Sequence, residues 1–306
     1  MAIFAFPSRM AWAILAVFGV AAYGALLMMG VAIRIESLLL PLTAISSCLA
    51  IAAFYTHVRP DRLLAVMAAG TAFILTFGAT AGPLTYPAAS IGLPLRDDLF
   101  IAFERSIGID WPSLADALTP MPTANLLWAI IYMSSLPQIA VAVLALGFTD
   151  RHERLASYLW LLVTSIVCTI VLFVLAPAAG PVSSFAIDAD LYARIGSGGK
   201  SFLADFQALR QGRLEVFDLA KLEGIISFPS FHTVLAILTA WALAPLRWVG
   251  GLAIGLNGLV ILSTVPQGGH YLADIIAGSL IAFACIAAGM SARIAAVPRG
   301  LPSMAG

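Results

Sequence analysis

The amino-acid sequence predicts an all-α integral membrane protein of about eight transmembrane helices, in which a six-helix core follows two N-terminal helices. Three observations carry this. Hydrophobic residues make up 61% of the 306 and charged residues only 10%, against about 25% charged in a soluble domain. The mean hydropathy is +0.99. Apolar runs near the roughly 20 residues that cross a bilayer recur along the chain.

The first run, about 10–33, follows Arg9. It is too long for the apolar core of a signal peptide and reads as a retained first helix. With a second run at 37–57 it forms an N-terminal helix pair over 1–62. Six further runs, at 63–82, 124–149, 157–177, 230–246, 249–265 and 271–290, make the core over 63–290, and 291–306 is a C-terminal tail. Two long loops interrupt the core, at 83–123 and 178–229. The first contains "LRDDLFIAFERSIGIDWPSLADAL", whose apolar spacing suggests short amphipathic helices on the membrane surface, with Trp111 in the interfacial belt. In the second, Phe202, Phe206 and Leu209 share a helical face, and Leu214, Phe217 and Lys221 extend the pattern. Structureless loops of this length are uncommon. These two read either as a lid or rim over a site, or as plain surface packing.

Eight of the 16 basic residues (Arg9, Arg59, Arg62, Arg151, Arg154, Arg247, Arg293, Arg299) fall in short segments on one side of this arrangement. Their density orients the chain with both termini inside. The expected location is a bacterial inner membrane, with both long loops at the outer face. Net charge is zero and no basic stripe exists, which gives no nucleic-acid partner. Cys48, Cys168 and Cys285 are scattered through apolar runs and form neither a disulfide framework nor a metal spacing.

Two short stretches carry chemistry. "ISFPSFHTVL" puts Pro229 at the start of the sixth helix and His232 in its first turn. A helix start offers free N–H groups and a positive dipole end, which favour an anion such as phosphate. Ser230 adds a hydroxyl. "STVPQGGHYLADIIAG" sets His270 and Asp274 four residues apart, on one face if the eighth helix has begun. A carboxylate beside an imidazole fixes its tautomer and stabilises its cation. Gly268 and Gly269 let the backbone approach a ligand. By the alternating topology both histidines emerge at the outer face, whereas His57 and His152 fall at the inner edge.

"FPSFHT" together with "HYLAD" resembles the type 2 phosphatidate phosphatase superfamily, and within it the inositol phosphorylceramide synthase-like branch of lipid phosphotransferases. The superfamily's second motif, Pro-Ser-Gly-His, reads Pro229-Ser230-Phe231-His232. Its third motif is Ser-Arg, five residues, His, three residues, Asp, and its spacing recurs from Ser263 and Thr264 to His270 and Asp274. The resemblance spans about 63–290. Phe231 stands in place of glycine and Thr264 in place of arginine. The first motif, Lys, six residues, Arg-Pro, aligns with Thr169, Ala176 and Pro177, so the three basic phosphate-clamping positions are absent. Arg194, Lys200, Arg210, Arg213 and Lys221 of the second loop are candidate substitutes.

The resemblance implies a metal-independent lipid phosphotransferase or phosphatase that needs no cofactor. His270 would attack phosphorus and form a phosphohistidine, Asp274 would orient it, and His232 would be the general acid and base. Ser230, Phe231, Thr264 and Gly269 would line the phosphate site. The expected partners are a lipid substrate and the membrane, and the oligomeric state is left open. Water as acceptor gives a lipid-phosphate or isoprenyl-diphosphate phosphatase. A solute or proton transporter is the alternative of another class, although its ionisable groups would belong near mid-membrane. A zinc site on His232, His270 and Asp274 lacks a fourth ligand.

Overall fold

In a computed structural model, which describes residues 3–196 and 198–296, the chain is helical almost throughout. The helices are α1 (Arg9–Met28), α2 (Glu36–His57), α3 (Arg62–Ser90), α4 (Asp97–Ser106), α5 (Trp111–Leu118), α6 (Pro122–Met133), α7 (Ser135–Phe148), α8 (His152–Leu175), α9 (Pro181–Ser184), α10 (Ala189–Arg194), α11 (Gly198–Arg210), α12 (Phe231–Leu243), α13 (Arg247–Gly268) and α14 (Leu272–Ala296). A two-residue parallel ladder pairs β1 (Ala32–Ile33) with β2 (Val216–Phe217), tying the α1–α2 connection to the second long loop. Residues 297–306, most of the expected tail and with it Arg299, lie outside the described residues.

Six of the described helices are long and apolar enough to cross a membrane, seven if α6 and α7 count as one span bent by 40°. The chain is an integral membrane protein. Each of the eight expected runs holds a helix, with four main changes of boundary. The first stops at Met28, before β1. The third continues to Ser90 through Pro83 and Pro87. The fourth is broken at Ser134. The sixth, α12, has only 13 residues.

Both α1 and α2 pack on α3, while α12 sits among α7, α8, α13 and α14. The main core joins Phe73 of α3, Leu155, Tyr158 and Leu162 of α8, and Val234 and Leu238 of α12. Between lipid-immersed helices the apolar effect supplies little, so close packing and interhelical hydrogen bonds hold the bundle. The Tyr158 and Thr239 hydroxyls meet at 2.8 Å, linking α8 to α12. Asn257 Nδ2 donates to Gln138 Oε1 at 2.7 Å, linking α13 to α7.

The loop helices gather at the end of the bundle where α13 finishes and α12 and α14 begin. Phe202, Phe206 and Leu209 of α11 are buried as their shared face requires. The helix ends at Arg210, Leu214 lies beyond it and Phe217 is in β2, so the helical pattern does not extend to Leu214, Phe217 and Lys221. Trp111 is not in an interfacial belt. It is 1% exposed and packs with Ala115, Leu191, Ile195 and Val265. His57, at the last turn of α2, and His152, at the first turn of α8, lie at the other end.

Candidate active site

The chain enters α12 through Ser230, not Pro229. Ser230 is the N-cap, with its Oγ accepting from the Thr233 N–H, and the helix starts at Phe231. The Phe231 and His232 N–H groups therefore occupy the first turn, where no intrahelical acceptor exists. Pro229 stands just before the cap.

His270 lies in the turn between α13 and α14. Gly269 closes α13 in the left-handed region at φ 61°, a conformation that favours glycine. Its N–H and that of His270 both bond the Thr264 carbonyl. His270 Nδ1 then meets Asp274 Oδ2 at 3.1 Å. With Nδ1–H donated to the carboxylate, the lone pair is on Nε2, the atom free to attack an electrophile. The same Oδ2 accepts from the Tyr271 N–H at 2.9 Å and the Ser227 hydroxyl at 3.4 Å, while Oδ1 has no hydrogen-bond partner. Asp274 is 0% exposed.

One bond joins the two halves of the site. The Ser230 N–H donates to the Asp274 carbonyl at 3.0 Å, across 44 residues of sequence. Gly278, one turn beyond Asp274, permits it, because a Cβ there would lie 2.5 Å from the Ser230 carbonyl oxygen.

Tyr132 of α6 is a site residue that the sequence hides inside the apolar run "WAIIYM". Its Oη lies 3.1 Å from His232 Nδ1 and its ring stacks on the imidazole, with centroids 4.3 Å apart. The space beside Gly268 brings the groups together. A Cβ there would lie 3.2 Å from His270 Nε2 and 3.3 Å from Tyr132 Oη. The nearest contact of such a Cβ would be His270 Cδ2 at 2.7 Å, so only glycine lets the imidazole lie this close to the backbone at 268.

The remaining sequence candidates take other places. The Phe231 ring points to Phe77 of α3, with centroids 6.4 Å apart, so only its backbone N–H can face an anion. Thr264 is fully buried, and its hydroxyl donates back to the Ile261 carbonyl instead of to the site. Gly269 shapes the turn and abuts Gly199, whose Cα would be 2.8 Å from a Cβ at 269. The Ser230 Oγ is engaged as a helix cap and by the Thr233 hydroxyl.

Of the five candidate substitutes for the absent cationic positions, four are bonded elsewhere and the fifth, Lys221, faces solvent. Arg194 pairs with Asp116 at 2.6 Å and Asp190 at 3.0 Å. Lys200 donates to the carbonyls of Tyr192 and Ile195. Arg210 donates to the Leu93 carbonyl, Arg213 bonds Gln211, and Lys221 is exposed. Among the hydrogen bonds of the described residues, none runs from a lysine or arginine to His232, His270 or Asp274. The groups flanking the turn are acidic, namely Asp97 and Glu104, both buried.

Glu104, on α4, accepts from the Leu272 N–H through Oε1, while its buried Oε2 has no partner. Burial pushes its carboxyl above the ordinary 4.5, and the nearby Asp274 and Asp110 add to the rise. Folding thus favours the protonated acid. Its contribution is complete below the ordinary value and is lost as pH rises through the raised one. Glu104→Gln retains an oxygen for Leu272 and removes the ionisation. Thermal unfolding in detergent should show the variant gaining on wild type at pH 8 relative to pH 4.5. An equal difference at both values would show that Glu104 ionises freely in the fold.

A family model described as the PAP2 superfamily matches residues 98–288, from α4 into α14 and through both histidine motifs. No curated protein and no solved structure matches the chain.

Proposed function

The chain belongs to the PAP2 superfamily, whose match takes in more than half of its 306 residues, and from that premise we propose that it is a lipid phosphotransferase acting at the outer membrane face through a phosphohistidine on His270. The coarser statement, a membrane-embedded enzyme of phosphatase type acting on phosphoesters, follows from the family. The finer reading draws its main support from the His270–Asp274 pair, with Nδ1 on the carboxylate and Nε2 the ring nitrogen left to attack.

The reaction divides into two displacements. His270 Nε2 attacks phosphorus, an N–P bond forms, and the bond to the leaving oxygen breaks. His232 supplies the proton to that oxygen. As the acid, His232 is the imidazolium: Nδ1–H donates to the Tyr132 Oη, Nε2–H is the proton given up, and the neutral imidazole that remains is the base for the second step. An acceptor hydroxyl then attacks phosphorus, His232 takes its proton, and the N–P bond breaks. Asp274 stabilises the cationic imidazole while phosphorus is attached. The first-turn N–H groups of Phe231 and His232 receive the phosphoryl oxygens.

The charge around the turn selects the donor. Each extra negative charge on the phosphate meets the Asp274 carboxylate with no paired arginine to offset it. At about 6 Å and an effective dielectric near 20 that repulsion is about 3 kcal/mol, or about a hundredfold in affinity. A lipid phosphodiester carries one negative charge, and a monoester carries up to two. The inferred donor is therefore a phosphodiester lipid and the acceptor a hydroxyl lipid. The purified protein should be given labelled phosphatidylinositol, phosphatidate or isoprenyl diphosphate, each with and without a hydroxyl lipid. Acceptor-dependent transfer from the diester is the expected result. Release of free phosphate from phosphatidate or the diphosphate, independent of any acceptor, would identify a phosphatase instead.

A further inference from the structure

We propose that Asp97, Glu104 and Trp111, from the α4–α5 segment, are positioning residues that clamp the His270 turn, which makes this segment part of the catalytic apparatus. The proposal rests on the reading of His270 as nucleophile. It comes from a register of contacts. Trp111 Nε1 donates to the His270 carbonyl at 2.9 Å. The Tyr271 hydroxyl donates to Asp97 Oδ1 at 3.1 Å. The Leu272 N–H donates to Glu104 Oε1. Three consecutive residues of the turn are thus each held by one residue of a segment more than 150 positions earlier in the chain.

The turn needs such a hold. Gly268 and Gly269 leave room for the imidazole and for the close approach of Gly199, but glycine is also the residue with most backbone freedom to lose on ordering. On its own side, among the described residues, the turn is fixed by the Thr264 carbonyl, Asp274 and the Ile275 N–H. Burial raises the Tyr271 phenol, which keeps it a proton donor to Asp97.

Asp97 does more than bind Tyr271. Its two oxygens also accept from the N–H groups of Gly180, at 2.8 Å, and Ala179, at 3.0 Å. Gly180 has φ 88° and packs beside the Gly269 carbonyl and Ser227. The family's first motif ends in this stretch after α8, and here it has no arginine. One carboxylate therefore fixes the loop after α8 to the nucleophile turn. Phe100 of the same helix stacks on Phe228, just before Pro229, with centroids 4.5 Å apart. The α4–α5 segment thereby touches the neighbourhood of all three motif positions.

The test compares Trp111→Phe, Asp97→Asn, Tyr271→Phe and His270→Ala in the purified full chain, with labelled phosphatidylinositol and a hydroxyl lipid. Trp111→Phe retains an aromatic ring beside Phe185 but loses the indole N–H and part of the ring volume, so folded protein is measured with the rate. A clamp predicts that it lowers kcat about tenfold, the scale of one buried hydrogen bond, with KM within twofold and no loss of folded protein. It also predicts that Asp97→Asn and Tyr271→Phe are not additive when combined. Turnover lost in His270→Ala but unchanged in Trp111→Phe and Asp97→Asn overturns the clamp alone, as does a fall in rate that merely tracks loss of folded protein. Turnover that survives His270→Ala overturns the underlying reading, and the clamp with it.

Discussion

His270→Ala is expected to lower turnover by about four to six orders of magnitude, the loss seen when an enzyme's nucleophile is removed and only binding and orientation remain. The expectation rests on Nε2, the atom left without a carboxylate partner once Nδ1 faces Asp274 at 3.1 Å. His232→Ala should also stop the cycle, but at a different stage. Without its acid and base, attack on a donor with a good leaving group can still load His270, and the second displacement then stalls. A labelled diester with a good leaving group, such as a nitrophenyl alkyl phosphate, should therefore leave an acid-labile phosphoryl group on the His232→Ala protein and none on His270→Ala. Label retained in His270→Ala would assign the nucleophile elsewhere. Equal label and full turnover in both variants would remove the two-step scheme. Both measurements need the variants at wild-type levels in the membrane. His270 is buried against the fully buried Asp274, so folded protein is measured for each variant beside the label.

The eight runs were legible because the bilayer forces a length and a composition on any helix that crosses it. The His270–Asp274 pair was legible because four residues is a local spacing, although α14 starts only at Leu272 and the turn before it, not a helical face, brings His270 to Asp274. What failed was long-range or ambiguous. Tyr132 sits in an apolar run and has the composition of an ordinary lipid-facing or core aromatic. Its role depends on α6 packing on α13, which brings Tyr132 to the first turn of α12, and no local pattern encodes that. Trp111 suits a membrane interface and a buried donor site equally by composition. Only the His270 carbonyl opposite its Nε1 decides between them. The break at Ser134 carries no proline or glycine at the residue itself, so the run from 124 to 149 read as one straight span. Ser230, Phe231 and Thr264 were placed at the phosphate by alignment with a motif. Alignment locates a backbone position and says nothing of rotamer, and here Phe231 turns to Phe77 while Thr264 bonds its own helix.

The contact least visible in sequence makes the sharpest packing prediction, at Gly278. Nothing in "DIIAGSL" distinguishes this glycine from the many others in the transmembrane helices. In the fold, a Cβ at 278 would lie 2.5 Å from the Ser230 carbonyl oxygen and 3.2 Å from Thr233 Cβ. The first obstacle is backbone at a capped helix start, so no side-chain rotation can relieve it. The Asp274 carbonyl, which accepts the Ser230 N–H, is also where the α14 ladder puts the Gly278 N–H. Gly278→Ala must therefore push α14 from α12 at the bond that joins His232 to the His270–Asp274 pair. Overpacking of this kind costs about 1–3 kcal/mol, and a displacement of about 1 Å between reacting groups can cost about a hundredfold in rate. Gly258→Ala is the matched control. It lies in α13 with open space where a Cβ would go, and alanine there should stabilise by up to about 1 kcal/mol through helix propensity alone. Thermal unfolding in detergent and kcat on the same preparations separate the two. The joined-site geometry requires Gly278→Ala to lose both stability and rate while Gly258→Ala keeps both. A Gly278→Ala protein with wild-type kcat would mean that α12 and α14 are not held in register by the Ser230–Asp274 contact.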